Sequence, residues 1–338
     1  MHVVITSIFP PTQGMRQLAE GLAHRGGTLW VMGDRKGPAH YDLPATRFLD
    51  ISAQRRLRFQ MAGKLPEGHY ARKNLGYLLA MEQGADFLLE TDDDNLPLPN
   101  YWRKPAPWLN ARIIAGQGWC NVYRAFSDAE IWPRGYPLDL VVCSFAAKVG
   151  QEDGLQAVEC LVQQGLADEN PDVDAIYRLT RKLPVSFSAG APVALANGCW
   201  CPFNSQNTTW FKPAFPLLYL PSHCSFRMTD IWRSFVAQRC LWAMESHLGF
   251  IEATMRQERN PHDPLRDFEQ EIDGYRHNRA MTEKLAALDL RSGRDLACVG
   301  DNLLACYETL ASSGYLPAAE LDLVAAWVAD LRQLAVDG

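Results

Sequence analysis

"ARKNLGYLLAMEQGADFLLETDDDN", residues 71–95, is the stretch on which the fold turns. Residues 71–85 put Leu75, Leu78 and Leu79 on one side of an amphipathic helix, and "DFLLET" (86–91) is an apolar run of strand length. A helix that delivers the chain straight into a buried strand is half of a βαβ unit. The same alternation runs from the amino terminus: "VVITSIF" (3–9) reads as a strand and "GMRQLAEGLAHRGG" (14–27) as a helix on Leu18, Leu22 and Ala23 with a glycine stop. "TLWVMGD" (28–34) reads as a second strand and "TRFLDI" (46–51) as a third. Strands alternating with helices predict an α/β fold on a parallel, doubly wound sheet.

Asp92, Asp93 and Asp94 follow the strand 86–91 directly. Ligands of open α/β sheets gather beyond the carboxyl ends of the strands, and three adjacent carboxylates need a positive partner there. If the strand alternation persists, Asp92 and Asp94 share one side and Asp93 takes the other. Asp92 and Asp94 are then candidate ligands of a hard divalent cation, Mn2+ or Mg2+, completed by water and diphosphate oxygens. "DDDNLPLPN" is not an EF-hand, since it lacks the glycine and terminal glutamate of that loop. The plain alternative is an acidic turn closed by Pro97. Arg72 and Lys73 open the helix 71–85, where cations oppose the helix dipole at roughly 0.3–1 kcal/mol each. A diphosphate bound by both side chains and the free backbone N–H groups reverses that penalty; otherwise both cations extend into water or pair with local carboxylates.

Composition narrows the function classes. The chain has 338 residues, 47% hydrophobic and 21% charged, which suits one large domain or two fused ones. A net charge of -6 provides no global field for nucleic acid or an anionic membrane, so no nucleic-acid partner is expected. "MHVVITSIFPP" has no basic flank and is too short for a signal peptide or a membrane span, which predicts a cytoplasmic protein. The nine cysteines include no CxxC pair and read as buried apolar residues in a reducing compartment. Cys199 and Cys201 stand too close together for a zinc half-site, and no second pair complements them.

Residues 100–225 are rich in Trp, Pro, Gly and Asn, with brief strands expected at "ARIIAGQG" (111–118) and "LDLVVCSF" (138–145) and a helix near 153–166. This region is where a pocket is walled. From 229 the pattern turns helical, and a boundary near 248 divides a mixed α/β domain (1–248) from a helical carboxy-terminal region (249–338). Those helices suit oligomer contacts, hence a possible homo-oligomer, or an acceptor-side platform.

Taken in order, "VVITSIFPPT", "WVMGDRKGP", "HYARKNLGYLLAMEQGADFLLETDDDN", "IWPRGYPLD", "NPDVDAIYRLTR" and "RMTDIWRSFVAQRCLW" resemble the blocks of the STELLO-type family of GT-A glycosyltransferases. The similarity covers most of residues 2–285. It implies a GT-A fold, that is, a Rossmann-like, mostly parallel mixed sheet flanked by helices, here with a helical carboxy-terminal extension. It also implies an Asp-x-Asp metal motif at Asp92, Asp93 and Asp94 and sugar transfer from a nucleotide-diphosphate donor. Plant members carry a membrane anchor ahead of this domain, so their Golgi residence is not expected of this chain.

On that reading Thr6 and the turn at Pro10 and Pro11 meet the nucleotide, Asp34 accepts the N3–H of a uracil, favouring a UDP-sugar, and Asp93 joins Arg72, Lys73 and Asp92 around the donor. Asp34 equally suits a plain turn. Asp172 and Asp174 are candidates for holding acceptor hydroxyls, or Asp174 simply caps a helix and pairs with Arg178. Trp119, Tyr123, Trp132, Tyr136, Trp200 and Trp210 offer sugar-stacking faces or serve as core anchors. His223 is a candidate late metal ligand and Asp230 the candidate base of an inverting transfer, against plain roles as a structural donor and a helix cap. The acceptor is a glycan or another hydroxyl compound. A nucleotide-sugar mutase and a noncatalytic sugar-nucleotide scaffold are the competing functions. A nucleotidyltransferase is disfavoured, because no Gly-rich loop follows the first strand.

Overall fold

The computed structural model describes residues 1–116, 118–146, 154–260 and 262–337. The chain opens with β1 (His2–Ser7), α1 (Gln13–Ala23), β2 (Thr28–Gly33), β3 (Thr46–Leu49), the short helices α2 (Ile51–Arg55) and α3 (Gln60–Lys64), α4 (Lys73–Glu82) and β4 (Phe87–Thr91). Next come β5 (Asn95–Pro97), β6 (Trp108–Ile114), β7 (Gly118–Trp119), α5 (Leu138–Ser144), β8 (Gln156–Glu159), β9 (Val162–Asp168), α6 (Ala175–Thr180), β10 (Val193–Leu195), β11 (Cys199–Trp200) and β12 (Asn207–Phe211). The chain closes with α7 (Thr229–Ala243), β13 (Leu248–Gln257), α8 (Pro264–Ala286), α9 (Leu296–Ser312) and α10 (Ala319–Asp337).

One sheet organises these elements in the order β3-β2-β1-β4-β12-β9-β13-β10-β6-β8, with β5 on the end of β13. The strands β3, β2, β1 and β4 are parallel, as the sequence predicts. β12 runs against both β4 and β9, and β13 runs parallel to β9. The carboxyl ends of β1, β2, β4, β9 and β13 therefore share one edge of the sheet, and every loop that leaves them can reach a common cavity.

Successive residues of a strand face opposite sides, and the two cores follow from that. Leu88 and Val4 face the layer of α4 and α7, with Leu75, Leu78 and Phe235. Leu89, Val3 and Ile5 face α1, with Met15, Leu18 and Leu22. α1 is started by Thr12, whose hydroxyl accepts from the Met15 N–H. It packs so close that a Cβ on Gly14 would lie 2.1 Å from the Asn95 carbonyl oxygen, so only glycine lets the helix start against the acidic turn. The apolar layer under β4 holds one ion pair: Arg233 donates to both carboxylate oxygens of Glu90, at 2.9 and 2.7 Å, and Trp210 and Tyr77 donate to the same carboxylate.

Three expectations are corrected. "LDLVVCSF" contains a helix, α5, begun at Pro137 and carrying Asp139 in its first turn. Most of the segment 153–166 belongs to β8 and β9, with residue 153 outside the described residues. β9, VQQGLAD, is buried along both faces between β12 and β13, so its sequence lacks the apolar–polar alternation that marks a half-buried strand. Helix does not resume at 248: Leu248–Gln257 is the sheet strand β13, and the helical part starts at Pro264.

The last helices pack back onto the core. Glu320 of α10 accepts from the backbone N–H groups of Ser222 and His223 and from the Tyr219 hydroxyl, and Asp330 accepts from the N–H groups of Gln60 and Met61 at 2.7 and 2.9 Å. One helix thereby holds both the start of α3 and the loop before α7.

Candidate functional site

A cavity of about 570 Å³ lies at the shared carboxyl edge. Thr6 and Ser7 border it from β1, Asp34 from the end of β2, the triplet from the end of β4, Asp172 from beyond β9, Gln257, Arg259 and Asn260 from the end of β13, and Arg227 and Asp230 from the start of α7.

The strand alternation stops at Thr91, and the triplet is a turn in which the Asn95 N–H points to the Asp92 carbonyl at 3.4 Å. The pairing of side chains therefore differs from the expected one. Asp93 and Asp94 converge on Asn260: its side chain donates to Asp93 at 3.2 Å and its backbone N–H to Asp94 at 3.1 Å. Asp93 also accepts from the Ser7 hydroxyl at 2.5 Å, across the crevice between β1 and β4. Asp94 accepts from the Gln257 amide. Asp92 has other partners, accepting from the Tyr70 hydroxyl at 2.5 Å and from Lys73 at 3.3 Å. All three border the cavity. Burial pushes Asp92 up to about 6, with Lys73 opposing and Asp94 adding to the rise, and burial with the repulsion of its two neighbours pushes Asp93 to about 6.

Among the described residues no three His, Cys, Asp or Glu side chains close into a metal cage. The donor set nevertheless fits a hard cation of the Mg2+ or Mn2+ kind: three adjacent carboxylates that all border the cavity. Such ions keep positions for water and phosphate oxygens rather than taking a full set of protein ligands.

The two basic residues separate. Lys73 is enclosed, its ammonium spent on the Tyr70 hydroxyl at 2.7 Å, the Thr91 carbonyl at 2.7 Å and the Ser205 carbonyl at 3.2 Å as well as on Asp92. It is a strut under the acidic turn and does not border the cavity. Arg72 does border it: Nε donates to Gln54 at 2.6 Å and one terminal nitrogen reaches the Leu65 and Pro66 carbonyls. Its other terminal nitrogen is buried without a partner. Among the described residues Arg72 makes no ion pair, and burial lowers its proton affinity, against the opposing charges of Asp34 and Glu67. Asp34 holds the facing loop, accepting from the N–H groups of Gly68 at 2.8 Å and His69 at 3.0 Å, which is the turn role the sequence left open.

On the opposite wall Arg134 joins two carboxylates. It donates to Asp172 at 2.8 and 2.9 Å and to Asp230 at 3.0 and 2.9 Å, and also to the Arg227 carbonyl. Burial alone would raise Asp230, but the guanidinium outweighs it by charge and hydrogen bonds and holds the acid at about 2.

Two sequence candidates lie elsewhere. Asp174 is fully enclosed, capping α6 through the Tyr177 N–H at 2.7 Å and accepting from the Trp132 indole at 2.7 Å; burial lifts it to about 7. Asp172, two residues earlier, takes the place on the wall. His223 turns to Glu320, at 2.7 Å, and does not border the cavity, because the buried carboxylate of α10 draws the loop down. None of the six aromatics considered for sugar stacking borders the cavity. Ile8, Phe9 and Phe226 do, all partly exposed, with Phe226 edge-on to Tyr70 at 5.6 Å. Arg134, Tyr70, Arg259 and Asn260 are site residues that sequence reasoning missed. For Arg134 the signal was there in "IWPRGYPLD", one arginine between two prolines, held in a turn that the Tyr136 N–H closes on the Pro133 carbonyl at 3.1 Å.

A parallel half-sheet with an acidic turn at its carboxyl edge, continued by mixed strands and covered by helices, is a GT-A-like architecture. Residues 227–337 match the family model of STELLO glycosyltransferases. Two proteins of Arabidopsis thaliana, described as probable glycosyltransferase STELLO1 and probable glycosyltransferase STELLO2, are 28% and 27% identical over 274 and 275 residues. Each comparison covers 75% of this chain, against 34% and 35% of the relatives, so the chain spans about a third of their length. These matches make the chain similar to STELLO glycosyltransferases, over its last third by the family model and over three quarters of its length by the two relatives. Among the described residues no helix is long and apolar enough to cross a membrane.

Proposed function

We propose that the cavity transfers a sugar from a nucleotide-diphosphate donor, a UDP-sugar by preference, to a hydroxyl acceptor, with a divalent cation at the acidic turn and inversion at the anomeric carbon. The observation that carries this reading is the juxtaposition, in one cavity, of three crowded carboxylates and the guanidinium of Arg72, one of whose nitrogens has no hydrogen-bond partner. Nucleoside diphosphate with a divalent cation supplies what each lacks.

Asp92 and Asp94 hold the cation, with Asp93 beside them, and the bound cation would neutralise charge on the departing diphosphate. Arg72 donates to the diphosphate. Thr6, Ser7 and the Asp34 loop receive the nucleoside, with Ile8 and Phe9 as its apolar wall. On the opposite wall Asp172 and Asp230 receive the acceptor hydroxyl. Asp230, held at about 2, is ionised throughout the neutral range. It is a weak base toward a free alcohol, but the oxygen becomes strongly acidic as it bonds to the anomeric carbon, and an ionised carboxylate suffices to take that proton late in the step. Arg134 keeps the carboxylate charged and aimed. Seven of the nine cysteines are buried, Cys224 is half-buried and Cys143 exposed, which supports a reducing, cytoplasmic setting, and a role in polysaccharide biosynthesis fits the same reading.

The test is thermal stabilisation by UDP, GDP and ADP and their sugars, with and without Mn2+. Mn2+-dependent stabilisation is expected. Arg72→Ala should weaken diphosphate affinity by roughly 1.5–3 kcal/mol, the value of a charge-assisted bond. Asp230→Asn should keep donor binding and lose transfer. Retention of anomeric configuration in the product, read by NMR, removes Asp230 from the base role; stabilisation by no nucleotide overturns the reading itself.

A further inference from the structure

A second hollow lies on the α1 side of the sheet, beyond the edge of that helix. Two adjoining cavities of about 430 Å³ each share Asn100, Arg103 and Glu252. The floor of one is built from Gln163, Asn207, Thr209 and Thr254 on β9, β12 and β13, and the other ends at Asp168, the last residue of β9. At a rise of about 3.3 Å per residue, Gln163 to Asp168 along β9 is a groove floor of roughly 17 Å. It points to the edge where Asp172 and Arg259 border the main cavity, and the segment from Asp94 to Asn100 borders both.

The lining chemistry selects the occupant. Arg103 and Lys104 are matched by Glu252 and Asp168, so the groove has no net charge with which to attract a polyanion. Its floor is made of amides and hydroxyls. Gly165 leaves it open, since a Cβ there would lie 2.6 Å from the Asn207 amide nitrogen and 2.7 Å from the Thr254 hydroxyl. Trp108 stands at the rim with 61% of its surface exposed, in a chain stiffened by Pro105 and Pro107. In the wall the Tyr101 hydroxyl, in a residue only 4% exposed, and the Asn100 side-chain oxygen have no hydrogen-bond partner. A saccharide hydroxyl, which both accepts and donates, can serve either kind of group. An exposed indole gives a sugar ring its flat apolar face.

We propose that this groove binds a neutral, extended saccharide and is the path along which the acceptor chain reaches the transfer cavity. The binding stands on the groove alone; the assignment to the acceptor rests on the transfer reading above.

Cellotetraose, mannotetraose and maltotetraose are titrated at millimolar concentration, with trigalacturonate as the charged control, following indole fluorescence and NMR shifts in the full chain. At least one neutral tetrasaccharide should bind. Trp108→Ala should weaken it tenfold or more, with partial rescue by Trp108→Phe, and Tyr101→Phe should weaken it two- to tenfold. No binding by any neutral tetrasaccharide, equal binding by the Trp108→Ala variant, or preference for trigalacturonate overturns the proposal and leaves a water-filled groove. Nucleoside diphosphate binding by the unaltered protein in the same samples reports separately on the transfer reading.

Discussion

Replacing Arg134 by Gln tests the electrostatic account of the site most directly. The guanidinium makes four hydrogen bonds to Asp172 and Asp230, whose side chains are 9% and 10% exposed. Deleting it strands two buried carboxylates, and removing one partner of a buried ion pair costs about 3–5 kcal/mol. An independent figure comes from Asp230, held at about 2 against an ordinary 3.8; at 1.36 kcal/mol per unit the shift is roughly 2 kcal/mol for this one carboxylate. The sign with pH follows from linkage. In the natural chain the folded pKa of Asp230 lies below the unfolded one, so its stabilisation is full above the unfolded value and is lost only as pH falls toward about 2. In Arg134→Gln burial is opposed by the Arg233 charge and the Ser205 hydrogen bond without the Arg134 guanidinium; the folded pKa is expected to rise above the unfolded one, and the penalty is then relieved as pH falls through the raised value. Urea unfolding followed by tryptophan fluorescence should therefore show a gap of about 3–5 kcal/mol between the two proteins at pH 8, narrowing by pH 5. A gap below about 1 kcal/mol at pH 8, or one that does not narrow, would refute the reasoning.

The acidic turn has its own pH signature: with Asp92 and Asp93 near 6, Mn2+ must displace protons in acid, so its affinity by calorimetry should climb as pH rises through about 6 and level off above it. A flat profile between pH 5 and 8 would remove both carboxylates from the cation site. Asp174→Ala should cost about 1–2 kcal/mol, as a lost helix cap, and leave Mn2+-dependent nucleotide stabilisation in place. A selective loss of nucleotide response at unchanged stability would return Asp174 to the binding site.

What the sequence determined by itself was whatever depends on short-range pattern. Leu75, Leu78 and Leu79 on one side of a helix, and "FLLE" between a helix and an acidic turn, leave few arrangements other than strand, helix and parallel strand, and they place Asp92–Asp94 at a carboxyl edge. Those signals are local, because hydrophobic spacing and a strand end are written within a dozen residues. The tertiary structure decided the rest, where long-range pairing outweighs local preference. β9 reads as helix until β12 and β13 bury both its faces, and β13 enters the sheet from within a helical pattern. Charged residues show the same division. The sequence presents Arg72 and Lys73 as equals, but the fold spends Lys73 on four oxygens and leaves one nitrogen of Arg72 without a partner. Asp172 and Asp174 are two residues apart, yet only the first meets Arg134 on the cavity wall, because the second is the cap of α6. Which side chain is free for a ligand depends on partners distant in the chain, 38 residues away for Asp172 and Arg134 and 96 for Arg134 and Asp230, and those contacts exist only once the strands have assembled.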